Sequence, residues 1–426
     1  MAAAEFDDGT TDVPGGLTGN VERVLVAGAG ISGLTAANAL THAGVDCVVL
    51  EARDRIGGRL HTVDLGGTAT DLGGSWIHQP DGNPMRAFAR LAGVPGVSMD
   101  PAPEMAGYDA ADGRRLTAAE TSEMFRLYLE EFPAAAPGLA AELGPGASMA
   151  EAIEAFVAAG SRPGVHPAPE WARRARQMLN GGIEGDCAGL AGDQSLRWMW
   201  NEIEYGGAYF GDAPQGGYGR LTSAMASGID VRLGQPVTEI TAGPHGVRMV
   251  TADGTAEEGS HAVVTVPLGV LKQGRPRFSP GLPADRLAAI GRLGFGRFEK
   301  VALRFTESFW RDAGFPQLMV FPREPGEWMV WAMGLDAFGG GPVLIFFVFH
   351  SAAERLAGAG PDAAVRWVLS QLAEAIGQPI GGRLLFAGEH TQSARLVYTD
   401  GALTSGIREA KRLLGTSAVR LTVENA

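Results

Sequence analysis

Six residues near the start of the chain, Gly28-Ala29-Gly30-Ile31-Ser32-Gly33, have the types and spacing to hold a dinucleotide. In such a run the first glycine permits a tight turn and the second lets backbone approach a pyrophosphate. The third lets a helix pack on a strand. The run needs a strand before it and a helix after it, because the positive N-terminal end of the helix attracts the phosphate charge. Both are present. Val21 to Ala27 reads as a buried strand, with Val24, Leu25 and Val26 in a row. A helical stretch follows from about Ser32 to Ala43, and Gly44 stands where a helix-ending glycine belongs. Asp46 to Glu51 is a second apolar strand. Glu51 at its end can accept hydrogen bonds from the hydroxyls of an adenosine ribose. The spacing alone leaves NAD and FAD both open.

Further motifs narrow that choice. Glu51-Ala-Arg53-Asp-Arg55-Ile-Gly57-Gly58-Arg59 continues from the second strand, and Asp71-Leu-Gly73-Gly74-Ser75-Trp76-Ile77-His78 follows, with Gly82-Asn83-Pro84 after it. Near the C-terminus stand Phe386-Ala-Gly388-Glu389-His390-Thr391 and Tyr398-Thr-Asp-Gly401-Ala402. Together, and in this order, these runs resemble the flavin monoamine and polyamine oxidase family. The resemblance implies an FAD-binding flavoprotein that oxidises amines with O2 as acceptor. It implies cofactor contacts from Gly28, Gly30, Gly33, Glu51, Arg53, Gly58, Arg59, Gly74, Ser75 and Trp76. It also implies contacts from the backbone of Val237, from Gly388, from Glu389 to ribityl or ribose hydroxyls, and from the helix opened by Ala402. The positive end of that helix would stabilise negative charge on the reduced ring.

The same resemblance implies three catalytic side chains. Lys300, in Phe298-Glu-Lys300-Val-Ala-Leu-Arg-Phe, matches the family lysine that holds a water near flavin N5. Lysines are scarce here, with Lys272 and Lys411 the other two. Tyr398 matches an aromatic that stands over the flavin, and His78 a histidine of the polyamine-oxidase branch. Glu184, Asp186, Glu202 and Glu204 fall where carboxylates could recognise a distal ammonium group. Trp198, Trp200 and Tyr205 are candidates to line the cavity.

One departure stands out. Family members carry a segment before the FAGEHT run that supplies a second aromatic wall and, in monoamine oxidases, the cysteine that bonds the flavin. Here Ile376-Gly377-Gln378-Pro379-Ile380 passes straight into Gly381-Gly382-Arg383-Leu384. Non-covalent FAD and a wider cavity suited to bulky amines are the expectations. Trp331 or Phe347 could replace the lost wall. The departure keeps a non-catalytic FAD scaffold in play, and an amino-acid oxidase, which needs an arginine for the carboxylate, is the other enzyme to weigh.

Positioning these residues takes two domains, as 426 residues allow. The expected fold class is α/β, with a doubly wound FAD-binding domain and a discontinuous α+β substrate domain. The FAD domain is expected over 21–83, 215–275 and 380–426, the substrate domain over 84–214 and 276–379, and a flexible tail over 1–20. Residues 84 to 205 read as mostly helical, with Pro-rich breaks at 133 to 146 and 163 to 169. Gly216 to Ile240 reads as helix then strand, and further short strands are expected at Val247 to Val250 and His261 to Val266. An antiparallel sheet is expected from Lys300 to Phe305, Gln317 to Phe321, Glu327 to Met333 and Pro342 to His350. Pro361 to Gly377 reads as an amphipathic helix, Leu384 to Ala387 as a strand and Asp400 to Leu414 as a final helix.

Net charge is −13, which argues against nucleic acid, since phosphate binding needs a basic face. No apolar run approaches the ~20 residues of a membrane span. The acidic N-terminus lacks the pattern of a secretory signal. Two cysteines far apart, Cys47 and Cys187, suit a reduced cytoplasmic protein and form no metal-type pair. The partners expected are a small-molecule amine, bulky ones included, and O2; an oligomer is compatible with the sequence.

Overall fold

The run Val24-Leu25-Val26 lies inside a parallel sheet in the computed structural model, which describes residues 20–99, 105–160, 168–199, 205–312, 314–324, 327 and 330–376. The chain forms two compact units, Met1–Ala102 with Ile203–Phe295, and Pro103–Glu202 with Gly296–Ala426.

The first unit is α/β. Its parallel sheet runs in the order His261–Val264, Arg23–Ala27, Asp46–Leu50, Asp230–Arg232. Arg23–Ala27 has a strand on either side, and from Val24 to Ala27 it is buried on both faces and apolar without alternation. On one face Val24, Val26 and Val49 pack with Leu34 and Ala37 of the helix Ile31–His42 and with Met225 of the helix Gly219–Ala226. On the other face Leu25, Val48 and Leu50 meet Ile240 and Met249. Those two come from a second sheet, Val237–Gly243, Gly246–Thr251 and Ala256–Gly259 antiparallel, with Arg277–Ser279 added parallel. The topology thus puts the turn after Arg23–Ala27 at the carboxyl end of a parallel sheet, where ligands of open α/β sheets bind.

The second unit is α+β. Its six-stranded sheet runs Phe298–Arg304, Val343–Phe349, Trp331–Gly334, Gln317–Phe321, Met105–Asp109, Arg114–Arg115. Every residue of Val343–Phe349 is buried. One face of the sheet, including Phe346 and Ala332, packs against the helices His350–Ala359 and Pro361–Ile376.

The four strands expected between 300 and 350 do pair antiparallel, and Met105–Asp109, from the region read as mostly helical, joins Gln317–Phe321 in parallel, which makes the whole sheet mixed. A correction concerns the Pro-rich break at 133 to 146. Phe132–Leu143 is a helix, with a proline in its first turn and Pro137 inside. A first-turn proline costs little, since its N–H would lack a partner anyway. Pro137 costs on the order of 3 kcal/mol, and burial of Phe132, Ala136 and Leu139 offsets it at roughly 25 cal/mol per Å². The helix His350–Ala359 went unread, because it follows the strand Val343–Phe349 without an intervening turn. The strand expected at Leu384 to Ala387 and the helix at Asp400 to Leu414 lie outside the described residues.

Candidate active site

The glycine run forms its turn as the spacing predicts. Gly28 has φ +108, a region L side chains avoid. A Cβ on Gly33 would lie 2.0 Å from the carbonyl oxygen of Gly28, so helix and strand meet at a distance only glycine allows. Gly30 differs: a Cβ there would meet nothing within 4 Å. It is the N-cap of Ile31–His42, and no side chain caps that end. The first N–H groups of the helix are therefore left for an anion.

Glu51 is 7% exposed. Its carboxylate accepts from Ala29 N at 2.7 Å and from Arg53 N at 2.9 Å, so it fixes the glycine turn while each oxygen keeps a lone pair. The next loop docks onto this turn, with Gly57 N donating to Ala29 O at 2.8 Å. Arg53 and Arg55 both donate to the carbonyl of Gly58, at 3.0 Å each. Arg53 thus shapes the loop, whereas Arg59 is exposed and its guanidinium makes no hydrogen bond or ion pair among the described residues. Gly74 N donates to Arg59 O at 3.3 Å, and the buried Ser75 hydroxyl donates to Gly73 O at 3.3 Å. Val237 starts its strand half-buried, beside a register shift. An open Gly30, an uncapped helix end, a buried carboxylate and an exposed guanidinium suit the pyrophosphate and ribose of FAD.

Trp76 and His78 continue that second loop. His78 is exposed, and its Nδ1 lies 2.8 Å from the carbonyl oxygen of Tyr209. Tyr209 and Phe210 pack against this histidine, and Phe210 also against Trp76. Sequence reasoning missed both. The signal was a pair of adjacent aromatics in Ala208-Tyr209-Phe210-Gly211, too far along the chain to be linked to Trp76-Ile77-His78 by pattern. Tyr205, a candidate cavity residue, donates its N–H to Gln79 Oε1 at 3.1 Å.

Lys300 lies in the second unit, on Phe298–Arg304, opposite Phe347. Its Nζ is 5.2 Å from the Phe347 ring centre and 5.9 Å from that of Phe298, within cation–π range. Phe347 stacks on Trp331, its cross-strand partner, at 4.5 Å and 19°. The strand pairing therefore joins Lys300, Phe347 and Trp331 on one sheet face. Glu184 is 2% exposed, Asp186 accepts from the Tyr128 hydroxyl, and Trp198 is 59% exposed. Tyr398, Gly388, Glu389, Ala402, Glu202, Glu204 and Trp200 lie outside the described residues.

Comparison with known proteins accords with this geometry. Residues 31–381 match the model of a family described as flavin containing amine oxidoreductase. Lysine-specific histone demethylase 1 homolog 2 of Oryza sativa subsp. japonica is 30% identical over 458 residues, covering 93% of this chain and 58% of that protein. Polyamine oxidase 4 of the same organism is 30% identical over 368 residues, covering 82% of this chain and 72% of its own. The chain spans little more than half the length of the demethylase relatives it matches. Among solved structures, a putrescine oxidase double mutant redesigned in cofactor binding is similar, with a TM-score of 0.66 at 20% identity. That match covers 93% of this chain and 100% of the other. This last likeness concerns the fold. The chain belongs to the flavin containing amine oxidoreductase family, and its cofactor is FAD.

Proposed function

We propose that the protein oxidises the C–N bond of an amine, with O2 as the final acceptor, and that it holds FAD without a covalent bond. In balanced form, amine, O2 and water give a carbonyl compound, the released amine or ammonia, and H2O2. Bound FAD supplies the two-electron acceptor for hydride from the carbon beside nitrogen.

The chain's own residues supply binding, orientation and proton handling. Gly30, the N-terminus of Ile31–His42 and Arg59 hold the pyrophosphate, and Glu51 the ribose. Gly388, Glu389 and Ala402 are assigned to the same cofactor, and Tyr398 to its ring. Residues 21–83, 215–275 and 380–426 form the FAD part in this reading, and 84–214 and 276–379 the substrate part. Lys300 holds the water near the reacting ring atom. The observation that carries the reading is His78. A carbonyl accepts and cannot donate, so Nδ1 carries the proton in the neutral ring and Nε2 carries a lone pair. That nitrogen can take a proton from a substrate ammonium, and the amine must be neutral before hydride leaves.

Relatives named polyamine oxidase and lysine-specific histone demethylase support an amine on an extended chain as substrate. Cys47 and Cys187 are free thiols, which fits the cytoplasm as location. No helix among the described residues is long and apolar enough to cross a membrane.

The test is amine-dependent O2 consumption by the purified flavoprotein. One H2O2 per O2 consumed is expected with polyamines. Amine-dependent turnover without H2O2 would contradict O2 as the acceptor.

A further inference from the structure

We propose that Thr265 is a positioning residue for FAD: its hydroxyl ties the carbonyls of Ala27 and Gly28 together and so holds the glycine turn in the shape that receives the pyrophosphate. The inference concerns cofactor binding alone and stands whichever amine is oxidised.

Thr265 follows the strand His261–Val264, which pairs in parallel with Arg23–Ala27. It therefore stands at the carboxyl end of the sheet, beside the turn, although 237 positions separate it from Gly28 in sequence. Its N–H donates to Ala27 O at 3.0 Å. Its hydroxyl donates to the same oxygen at 2.9 Å and lies 3.3 Å from Gly28 O. One proton is thus shared between two successive carbonyls. The hydroxyl also fills space that side chains on the turn would need. A Cβ on Gly28 would lie 2.7 Å from it, and a Cβ on Gly33 would lie 3.1 Å from it.

The other contacts of the turn leave this task to Thr265. Gly28 N donates to Leu50 O at 2.9 Å, Ala29 N to Glu51 at 2.7 Å, and Gly57 N to Ala29 O at 2.8 Å. These bonds tie the turn to the second strand and to the loop after it. None of them reaches Gly28 O, and among the described residues the Thr265 hydroxyl is the donor to that oxygen. The Gly28 carbonyl shares a rigid plane with the Ala29 N–H. Rotating the carbonyl would pull that N–H from Glu51 and displace Gly30, where the pyrophosphate is assigned. Glycine at φ +108 resists such rotation weakly, so the turn needs an outside donor to hold it.

A valine would have the shape of Thr265 without the proton, and a serine the proton without the shape. The two substitutions therefore separate positioning from packing. The test is FAD release on serial dilution of the loaded enzyme, followed by the fluorescence of the freed flavin. Thr265→Val should release FAD about tenfold more readily, the scale of one lost hydrogen bond, and Thr265→Ser should stay within about twofold of wild type. Thr265→Ala loses the same proton without placing a methyl group against Gly28, and should match Thr265→Val. In the loaded Thr265→Val enzyme the ³¹P resonances of the pyrophosphate should shift. A packing role predicts the reverse order, because a β-branched residue suits the strand end and serine does not. Wild-type release from both Thr265→Val and Thr265→Ala, or release from Thr265→Ser as great as from Thr265→Val, would overturn the proposal.

Discussion

His78 Nδ1 meets the carbonyl oxygen of Tyr209 at 2.8 Å, across a sequence separation of 131 residues. The contact fixes the tautomer of a histidine that follows the flavin loop. His78→Asn keeps an N–H donor where Nδ1 was and removes the acceptor at Nε2. The expected result is normal flavin content with kcat/KM on amines lowered about 100-fold, the usual scale for a lost proton acceptor. His78→Gln should show a similar loss, because an amide oxygen accepts a hydrogen bond but does not take up a proton near neutral pH. Wild-type kcat/KM in His78→Asn would remove the histidine from the mechanism.

Gly30 and Gly33 separate binding from folding. A Cβ on Gly30 meets no protein atom within 4 Å, so Gly30→Ala should fold with a melting temperature near wild type. The methyl group would occupy space assigned to the pyrophosphate, and flavin content should fall severely. A Cβ on Gly33 would lie 2.0 Å from Gly28 O, so Gly33→Ala should lose both flavin and stability. Full flavin in Gly30→Ala would show that the phosphate lies elsewhere.

Acid sensitivity should come in part from Glu120. Hydrogen bonds from Arg114, foremost, and from the backbone and hydroxyl of Thr117 hold its carboxyl far below the usual range. Arg174, 1% exposed, donates to it at 2.8 Å. A carboxylate depressed in the folded state contributes stability above its unfolded value, about 4.3, and loses it as pH falls through the acid range. Glu120→Gln should be less stable at pH 7, with a shallower decline between about pH 5 and 3. Urea midpoints measure both, and an identical decline in the two proteins would count against the network.

Lys300→Met should leave flavin content near normal. The substituted side chain is of similar length and keeps its packing beside Phe347, while the charge is lost. A substantial slowing of flavin reduction or reoxidation is expected in stopped flow, and wild-type rates in both half-reactions would take the assigned role from Lys300.

The glycine turn and its two strands were legible in the sequence because they are local: Arg23–Ala27, Ile31–His42 and Asp46–Leu50 follow from apolar runs and a Gly-rich break. Val343–Phe349 was legible for the same reason. Met105–Asp109 was not, since its strand character comes from pairing with Gln317–Phe321, some two hundred residues later. The helix through Pro137 was hidden because tertiary burial outweighs a strong local breaker. At the site, Glu51 and Arg59 were visible through spacing. The place of Arg53 on the Gly58 carbonyl, and the meeting of His78 with Tyr209 and Phe210, depend on how separate segments fold together, which no short-range pattern encodes.

The central claim is that an amine gives its electrons to the flavin of this chain. The direct measurement is the flavin absorbance near 450 nm when the FAD-loaded protein is mixed anaerobically with a polyamine, a small monoamine and an amino acid. The polyamine should bleach the flavin rapidly, faster as pH rises and the amine becomes neutral. The small monoamine should do so slowly and the amino acid not at all. A flavin that stays oxidised with every amine, or is reduced by the amino acid alone, would contradict the account.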